Sequence, residues 1–319
     1  MITHFTELDR TLGALQEPAD AFEGDLSRYR GELLVHCYRM LGTVDEAEDA
    51  VQDALARAWK ARQTFRRSIS FRAWLYRIAT NVCLNAIERR KHRDGLVIGP
   101  WPDKRVAIAP LEAGPEARFD AHESVSLAFL AVLQLLPPRQ RAVLLLREVL
   151  AFRAAEVSAL LDMSVQAVNS AHQRARATLR GNYASPRQPS ITGSAAGTPP
   201  NLLERYVRAW EAADVAALVA LLREDAVLTM PPKPAVSGAD QIGKFLGDSI
   251  FSIAPMRLVG ARANGSPAFA AYMHERGGGG WALFALLVLS SDGVNITRID
   301  AFADPRALAP FELPAQLPG

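Results

Sequence analysis

The chain has 319 residues, 49% of them apolar, and a formal net charge of +2. That length suits two or three domains with cores of their own. With only Cys37 and Cys83, and no CxxC or Cys/His cluster, the composition excludes a disulfide-stapled scaffold and a zinc module.

Both cysteines fall in predicted helices and read as buried free thiols of a reduced cytosol, so a cytoplasmic protein is expected. MITHFTELDRTLG has no apolar core and is not read as a signal peptide. The run Ala282 to Leu289 is too short to span a membrane and reads as a buried strand. The small net charge hides an asymmetry, because the part before about Arg180 is basic and the part after Asn201 slightly acidic.

Residues 1–24 read as a weakly ordered N-terminal extension. Asp25 to Leu41 reads as a helix, with Leu26, Leu33, Leu34, Cys37 and Leu41 inward and Gly42 as its stop. Thr43 and Glu46 have capping-box spacing and open a helix to about Gln63. Ala47, Ala50, Val51, Ala54, Leu55 and Ala58 form its apolar face. Asp45, Asp49, Gln52 and Asp53 gather on the other side. Two readings stay open for them, stabilisation of a helix N-terminus or a docking face for a basic partner.

Phe65 to Arg93 carries the strongest functional signal. Phe71, Trp74, Leu75, Ile78, Val82 and Ala86 mark one apolar helix face. Arg77, Asn81, Asn85 and Arg89, spaced by four, form a polar row beside it. From Arg57 to Arg93 the only acid is Glu88. Positive charge gathers phosphates, aromatic rings accept unstacked bases, and amides read base edges. The pattern suits DNA with one strand opened, or an amphipathic helix with a solvated basic face.

Residues 95–122 read as a linker rich in Gly and Pro, with Trp101 expected to bury against something. Residues 123–181 form a second helical module. Leu127, Leu130, Leu133 and Leu136 line its first helix, and Pro137 and Pro138 interrupt it. Ala154 to Leu161, a turn at Asp162 to Ser164, and Val165 to Arg180 have the helix-turn-helix pattern. Ser164 caps the second helix. Gln166, Asn169, Ser170, Gln173 and Arg174 lie on its exposed face near bases, and Arg176 and Arg180 nearer phosphates.

These segments carry a resemblance. LLVHCYRMLG, DEAEDAVQDALARAW, FRAWLYRIATNVCLNAI, LPPRQRAVLLLREVLAF and AAEVSALLDMSVQAVNSAHQRARATL resemble bacterial sigma factors of the extracytoplasmic-function group, in that family's order and spacing. The resemblance implies two all-α sigma domains, residues 25–94 and 123–181. It implies RNA polymerase core as partner, through the β′ clamp helices and the β subunit, and promoter DNA as the second partner. Asp45, Asp49, Gln52 and Asp53 fall where the family docks on the clamp helices. Arg77, Asn81 and Asn85, with Trp74 beside them, fall at the minus-ten strand. The loop of Arg67, Ser68 and Ser70 falls where the family pockets a flipped base, although RRSIS lacks the glycine common in relatives. Ser164 to Arg176 falls at the minus-thirty-five element.

Residues 182–200 form a second linker. Beyond it, Leu202 to Glu211 and Val215 to Leu222 read as helices. Ala226 to Met230, Met256 to Ala263, Ala268 to Glu275, Ala282 to Leu289 and Asn295 to Phe302 read as strands, with Gly277 to Gly280 as a turn. Helices followed by a long antiparallel run suggest a curved α+β cone over residues 201–319. LLERYVRAWEAADVAALVALLREDAVLTMPP, GADQIGKFL and ITRIDAFADPRALAPF resemble SnoaL-like domains. PPKPAVSGAD lacks the aromatic and the arginine that relatives often carry there.

Tyr206, Trp210, Met230, Phe245, Trp281 and Phe284 either fill the core of that cone or line a pocket for a small apolar regulatory ligand, beside His274. No Ser/His/Asp, metal-spaced or phosphate-cradling pattern occurs, so no enzyme, cofactor or metal is expected. The expectation is a polymerase promoter-specificity subunit whose third domain packs on the other two and regulates them. The alternative is a ligand-responsive helix-turn-helix regulator acting without polymerase.

Overall fold

The structure, a computed structural model, describes residues 5–65, 70–90, 98–103, 127–183, 198–275 and 279–318. Helix α1 (Phe5–Leu41) starts twenty residues earlier than the sequence predicts and runs through Pro18, Gly24 and Gly31. Glycine costs a helix interior only ~1 kcal/mol, so Gly24 and Gly31 weaken the helix without ending it. Gly42, at φ 93°, does end it, and its N–H donates to the Tyr38 carbonyl at 2.7 Å.

Helix α2 (Val44–Lys60) stops a little short of its expected end and passes into a 3₁₀ turn at Arg62–Thr64. Thr43 is its N-cap by backbone angles, but its hydroxyl donates to the Glu46 carboxylate at 3.0 Å rather than accepting from the helix. Helix α3 (Phe71–Arg90) crosses α1 and α2, burying Ala73, Leu75, Tyr76, Ala79 and Val82.

The second helical module comprises α4 (Leu127–Gln134), α5 (Pro138–Leu144) with a π turn at Leu145–Val149, α6 (Ala154–Leu161) and α7 (Val165–Tyr183). Leu127, Leu130, Leu133 and Leu136 are buried, as their spacing predicts. The two modules do not stand apart. α3 packs against α6, and α1 against α4. The buried Arg141 guanidinium reaches across to the Met40 carbonyl at the end of α1 and also holds the Gln134 and Leu136 carbonyls, at 3.1 and 3.2 Å. Burial lowers its pKa to about 10, so it stays charged, and the negative end of the α1 dipole favours that charge.

The third domain opens with α8 (Pro200–Glu211) and the short α9 (Val215–Val219). Its strands are β1 (Leu222–Met230), β2 (Lys233–Ser237), β3 (Met256–Ala263), β4 (Ser266–His274), β5 (Trp281–Ser291), β6 (Ile296–Phe302) and β7 (Gln316–Leu317). Between β2 and β3 lie α10 (Ala239–Leu246) and a π turn at Gly247–Phe251; α11 (Pro305–Leu308) follows β6. The order is β2-β1-β6-β5-β4-β3, with β7 on β5.

Two expectations are corrected here. The sheet is mixed, because β1 pairs parallel with β6, and the second helix is shorter because the chain is extended from Leu222. A parallel pair needs a long connection, and the whole of β2 to β5 provides it. The four later strands match their predicted positions to within two residues at either end.

Two cores result. One lies inside the cone, where Tyr206 and Trp210 of α8 meet Leu228, Leu258, Phe269, Leu287, Leu289 and Ile299. The other runs through both helical modules, includes Trp101, and reaches Ala263, Ala268, Leu286 and Val288 on the opposite face of the sheet. Alternation along β5 sends successive leucines to the two cores. Among the described residues no helix is long and apolar enough to cross a membrane.

Candidate nucleic-acid interface

On α3 the predicted polar row is present but partly engaged. Arg77 Nη2 donates to both carboxylate oxygens of Asp162 at 3.1 Å. Asp162 sits in the turn between α6 and α7 in left-handed conformation, φ 50°. One DNA-reading candidate of the first module is therefore tied to the helix-turn-helix of the second. Asn81 is half-buried and Asn85 exposed.

Trp74 does not stand free for a base. Its ring lies 5.0 Å from Phe65, 5.8 Å from Phe71 and 6.2 Å from Phe22, inside an aromatic cluster. Ser70 Oγ accepts the Ala73 N–H at 3.4 Å and so caps the start of α3. Arg67 and Ser68 lie outside the described residues.

On α7, Ser164 Oγ accepts the Ala167 N–H at 3.1 Å, the cap its position predicts. Gln166, Asn169, Ser170, Gln173, Arg174 and Arg176 are all exposed, while Val168, Ala171 and Ala175 are buried behind them. His172 and Arg176 converge on Glu148, at 2.5 and 3.9 Å. The helix thus offers a polar face, with its basic residues toward the C-terminal half.

On α2, Asp45, Asp49 and Gln52 are exposed and Asp53 half-buried. Arg57, one turn on, binds Asp53 with two hydrogen bonds of 2.9 and 2.8 Å, so the acidic row carries less free charge than its sequence suggests. Asp49 has no partner among the described residues.

The residues missed by sequence reasoning lie at the interdomain junction. The β3–β4 turn, Asn264-Gly265, has both residues at positive φ, 53° and 75°. Asn-Gly is a strong hairpin signal, but nothing in the sequence says what the hairpin touches. The Asn264 side chain accepts the Trp101 N–H at 2.8 Å and donates to the Tyr38 hydroxyl at 2.9 Å. Its own N–H donates to the Trp101 carbonyl at 2.9 Å. The Tyr38 hydroxyl in turn donates to the Gly99 carbonyl at 2.8 Å. Arg262 pairs with Asp103 at 3.0 Å, and the Asp103 carboxylate also accepts the Gly265 N–H at 2.8 Å.

The third domain therefore grips the linker at 98–103, and the expected burial of Trp101 is found, at 1% exposure. At this contact the third domain supplies the arginine and the linker the acid. Asp214 and Glu211 are used within the domain, the first capping α9 and the second accepting the Leu258 N–H. Glu224 and Asp225 lie on β1.

The residues considered for a regulatory pocket do not all share one site. Tyr206, Trp210, Met230, Phe245 and Phe284 belong to the inner core. His274 and Trp281 pair across β4 and β5 with rings 5.0 Å apart, and alternation from Met273, which packs on the inner core, puts His274 on the other face of the sheet. The Tyr206 hydroxyl and Trp210 Nε1 are buried without a hydrogen-bond partner among the described residues.

Comparison with known proteins agrees with this architecture. Sigma-70 region 2 matches residues 26–93, Sigma-70, region 4 matches 126–179, and the SnoaL-like domain matches 203–300. The ECF RNA polymerase sigma factor SigG of Mycobacterium tuberculosis is 41% identical, over 95% of this chain and 87% of that protein. SigJ of the same organism is 29% identical, over 76% of this chain and 81% of its own. The crystal structure of SigJ superposes with a TM-score of 0.61 at 23% identity, covering 90% of this chain and 98% of that one, which shows a shared fold.

Proposed function

The chain belongs to the extracytoplasmic-function RNA polymerase sigma factors, transcription-initiation factors rather than enzymes, and from that we propose that it is a self-restrained promoter-specificity subunit. It binds polymerase core through the acidic row Asp45, Asp49, Gln52 and Asp53. It reads the opened minus-ten strand with Arg77, Asn81 and Asn85, and the minus-thirty-five duplex with the exposed face of α7. The SnoaL-like domain acts as an internal regulator.

The observation that carries this reading is the grip of Asn264 on Tyr38 and Trp101. A linker held at 98–103 keeps the helical modules together, with Arg77 against Asp162. In that closed arrangement the two DNA-reading surfaces cannot take up promoter spacing independently. Exposed pairs such as Arg77–Asp162 are worth only ~0–1 kcal/mol, so the shared apolar core, the buried Arg141 and the junction do most of the holding.

The test is run-off transcription with polymerase core and genomic promoter fragments, comparing the wild-type chain with Asn264→Gly. Promoter-dependent transcripts that need the chain, at a higher yield with the variant, support the reading. DNA binding that ignores polymerase core points instead to an operator-binding regulator.

A further inference from the structure

Glu148 lies in the π turn Leu145–Val149 that follows α5, and α5 packs along α7. It belongs to a different helix from the exposed polar face, yet one of its carboxylate oxygens meets two side chains of α7. His172 Nε2 lies 2.5 Å from Glu148 Oε1, and Arg176 Nε lies 3.9 Å from the same oxygen. A carboxylate only accepts, so the His172 ring is the donor. His172 and Arg176 are four residues apart and therefore share one stripe of the helix.

The three side chains are unequally anchored. His172 is 15% exposed, Glu148 47% and Arg176 50%. The imidazole thus fixes the carboxylate from the inner side, and the carboxylate stands beside Arg176 at the outer side. The contact to Arg176 is made by Nε, at the root of the guanidinium. Both Nη groups, at its tip, have no partner among the described residues. Arg176 also continues the exposed row of Asn169 and Gln173, at steps of four and three.

We propose that Glu148 is a positioning residue for promoter recognition, which aims Arg176 at one phosphate of the minus-thirty-five duplex and so sets the register of α7 in the groove. The proposal rests on the reading of α7 as the minus-thirty-five helix and of Arg176 as a phosphate contact. An arginine side chain has large rotamer freedom, and a charge held beside its Nε narrows the directions its tip can take. The same fixed anion repels any phosphate that approaches without Arg176 in between, so placements of α7 that miss this contact are penalised. A phosphate contact carries no sequence information of its own. It fixes the register from which Gln166, Asn169 and Gln173 reach base edges. A pair this exposed adds little to stability, so its value is directional.

The test measures binding of the full-length chain, assembled with polymerase core, to two duplexes. One is a genomic fragment that yields run-off transcripts, and the other is that fragment with its upstream element scrambled. Glu148→Gln is expected to bind the scrambled duplex about threefold more tightly and the promoter about threefold less tightly, so the ratio of the two affinities falls about tenfold. His172→Ala should lower the same ratio, and His172→Gln, whose amide still donates, should keep it. On an Arg176→Ala background, Glu148→Gln should leave the ratio where it is, because its effect runs through Arg176.

A ratio that Glu148→Gln does not change, while Arg176→Ala still reduces the salt slope, overturns the proposal and leaves the phosphate contact standing. A wild-type salt slope in Arg176→Ala overturns both. An equal fall in the ratio with and without Arg176 would mean that Glu148 only holds α5 against α7, and would also overturn the proposal. Thermal unfolding is recorded beside binding. If Glu148→Gln unfolds early, the two His172 variants decide, and equal ratios for alanine and glutamine there overturn the assignment.

Discussion

Asn264 and Tyr38, 226 positions apart in the chain, share a hydrogen bond of 2.9 Å in the buried junction between the third domain and the first. The Tyr38 hydroxyl both accepts from Asn264 and donates to Gly99, so both roles of the phenol are filled. Its ring packs edge-on against Trp101, centroids 4.5 Å apart. Burial pushes the phenol pKa up, opposed in part by the Asn264 bond, so the hydroxyl stays neutral and able to donate.

Asn264→Gly tests this relationship without straining the turn, because glycine accepts positive φ. The backbone bond to Trp101 is retained while both side-chain bonds are lost. An unsatisfied buried donor or acceptor costs ~1–3 kcal/mol, enough to loosen the junction. Small-angle scattering should show a larger radius of gyration for the variant, and promoter activity should rise. An unchanged radius together with unchanged activity would remove the junction from any regulatory role.

Reversing charge at Asp53 with Asp53→Lys breaks the pair with Arg57, yet both side chains are about half exposed, 41% and 52%. The stability change should stay within ~0–1 kcal/mol by denaturant titration. Core affinity should nonetheless fall. A folded variant with full affinity would contradict the docking face.

Asn81→Ala should slow promoter opening more than it weakens closed-complex binding. An amide that reads an extruded base matters only after the strand leaves the duplex. Permanganate footprinting of the opened region, beside a duplex binding assay, resolves the two. Arg176→Ala should instead lower binding across sequences and reduce the salt slope by ~0.9, the value of one phosphate contact. Equal salt slopes would show that Glu148 keeps Arg176 from the backbone.

His36 gives a pH signature. It is buried in the first module, with Nε2 2.9 Å from Thr80 Oγ1. Burial chiefly, with Arg39 and Arg72 nearby, depresses its pKa from 6.5 to about 3. The unfolded chain therefore binds more protons between those values, and stability falls as pH drops through that window. Full stability is present above pH 6.5, and about 2 kcal/mol should be lost by pH 5 at ~1.4 kcal/mol per unit. Urea titrations of wild type and His36→Gln at pH 7 and pH 5 check this, since the variant should lose the His36 part of the slope.

Much of the architecture is legible in the residues themselves. Leucine spacing places α4, Gly42 ends α1, Ser164 caps α7, and short apolar runs mark β3 to β6, because each depends on neighbours within one helical turn or one strand. The exposed face of α7 follows from the same periodicity. Other features depend on contacts that leave no local pattern. Arg57 neutralises Asp53 only because their rotamers meet, Trp74 is closed in by Phe22 from another helix, and β1 finds β6 in parallel across the whole sheet. His274 and Trp281 share a face with each other but not with Tyr206, which strand bulges and sheet packing determine. The junction joins backbone groups of Gly99, Trp101, Asn264 and Gly265 with the side chains of Asn264, Tyr38, Asp103 and Arg262. Hydrogen bonds between segments so far apart impose no periodicity on either, so the sequence alone could mark Trp101 as buried, and only the tertiary structure could say that Asn264 and Tyr38 bury it.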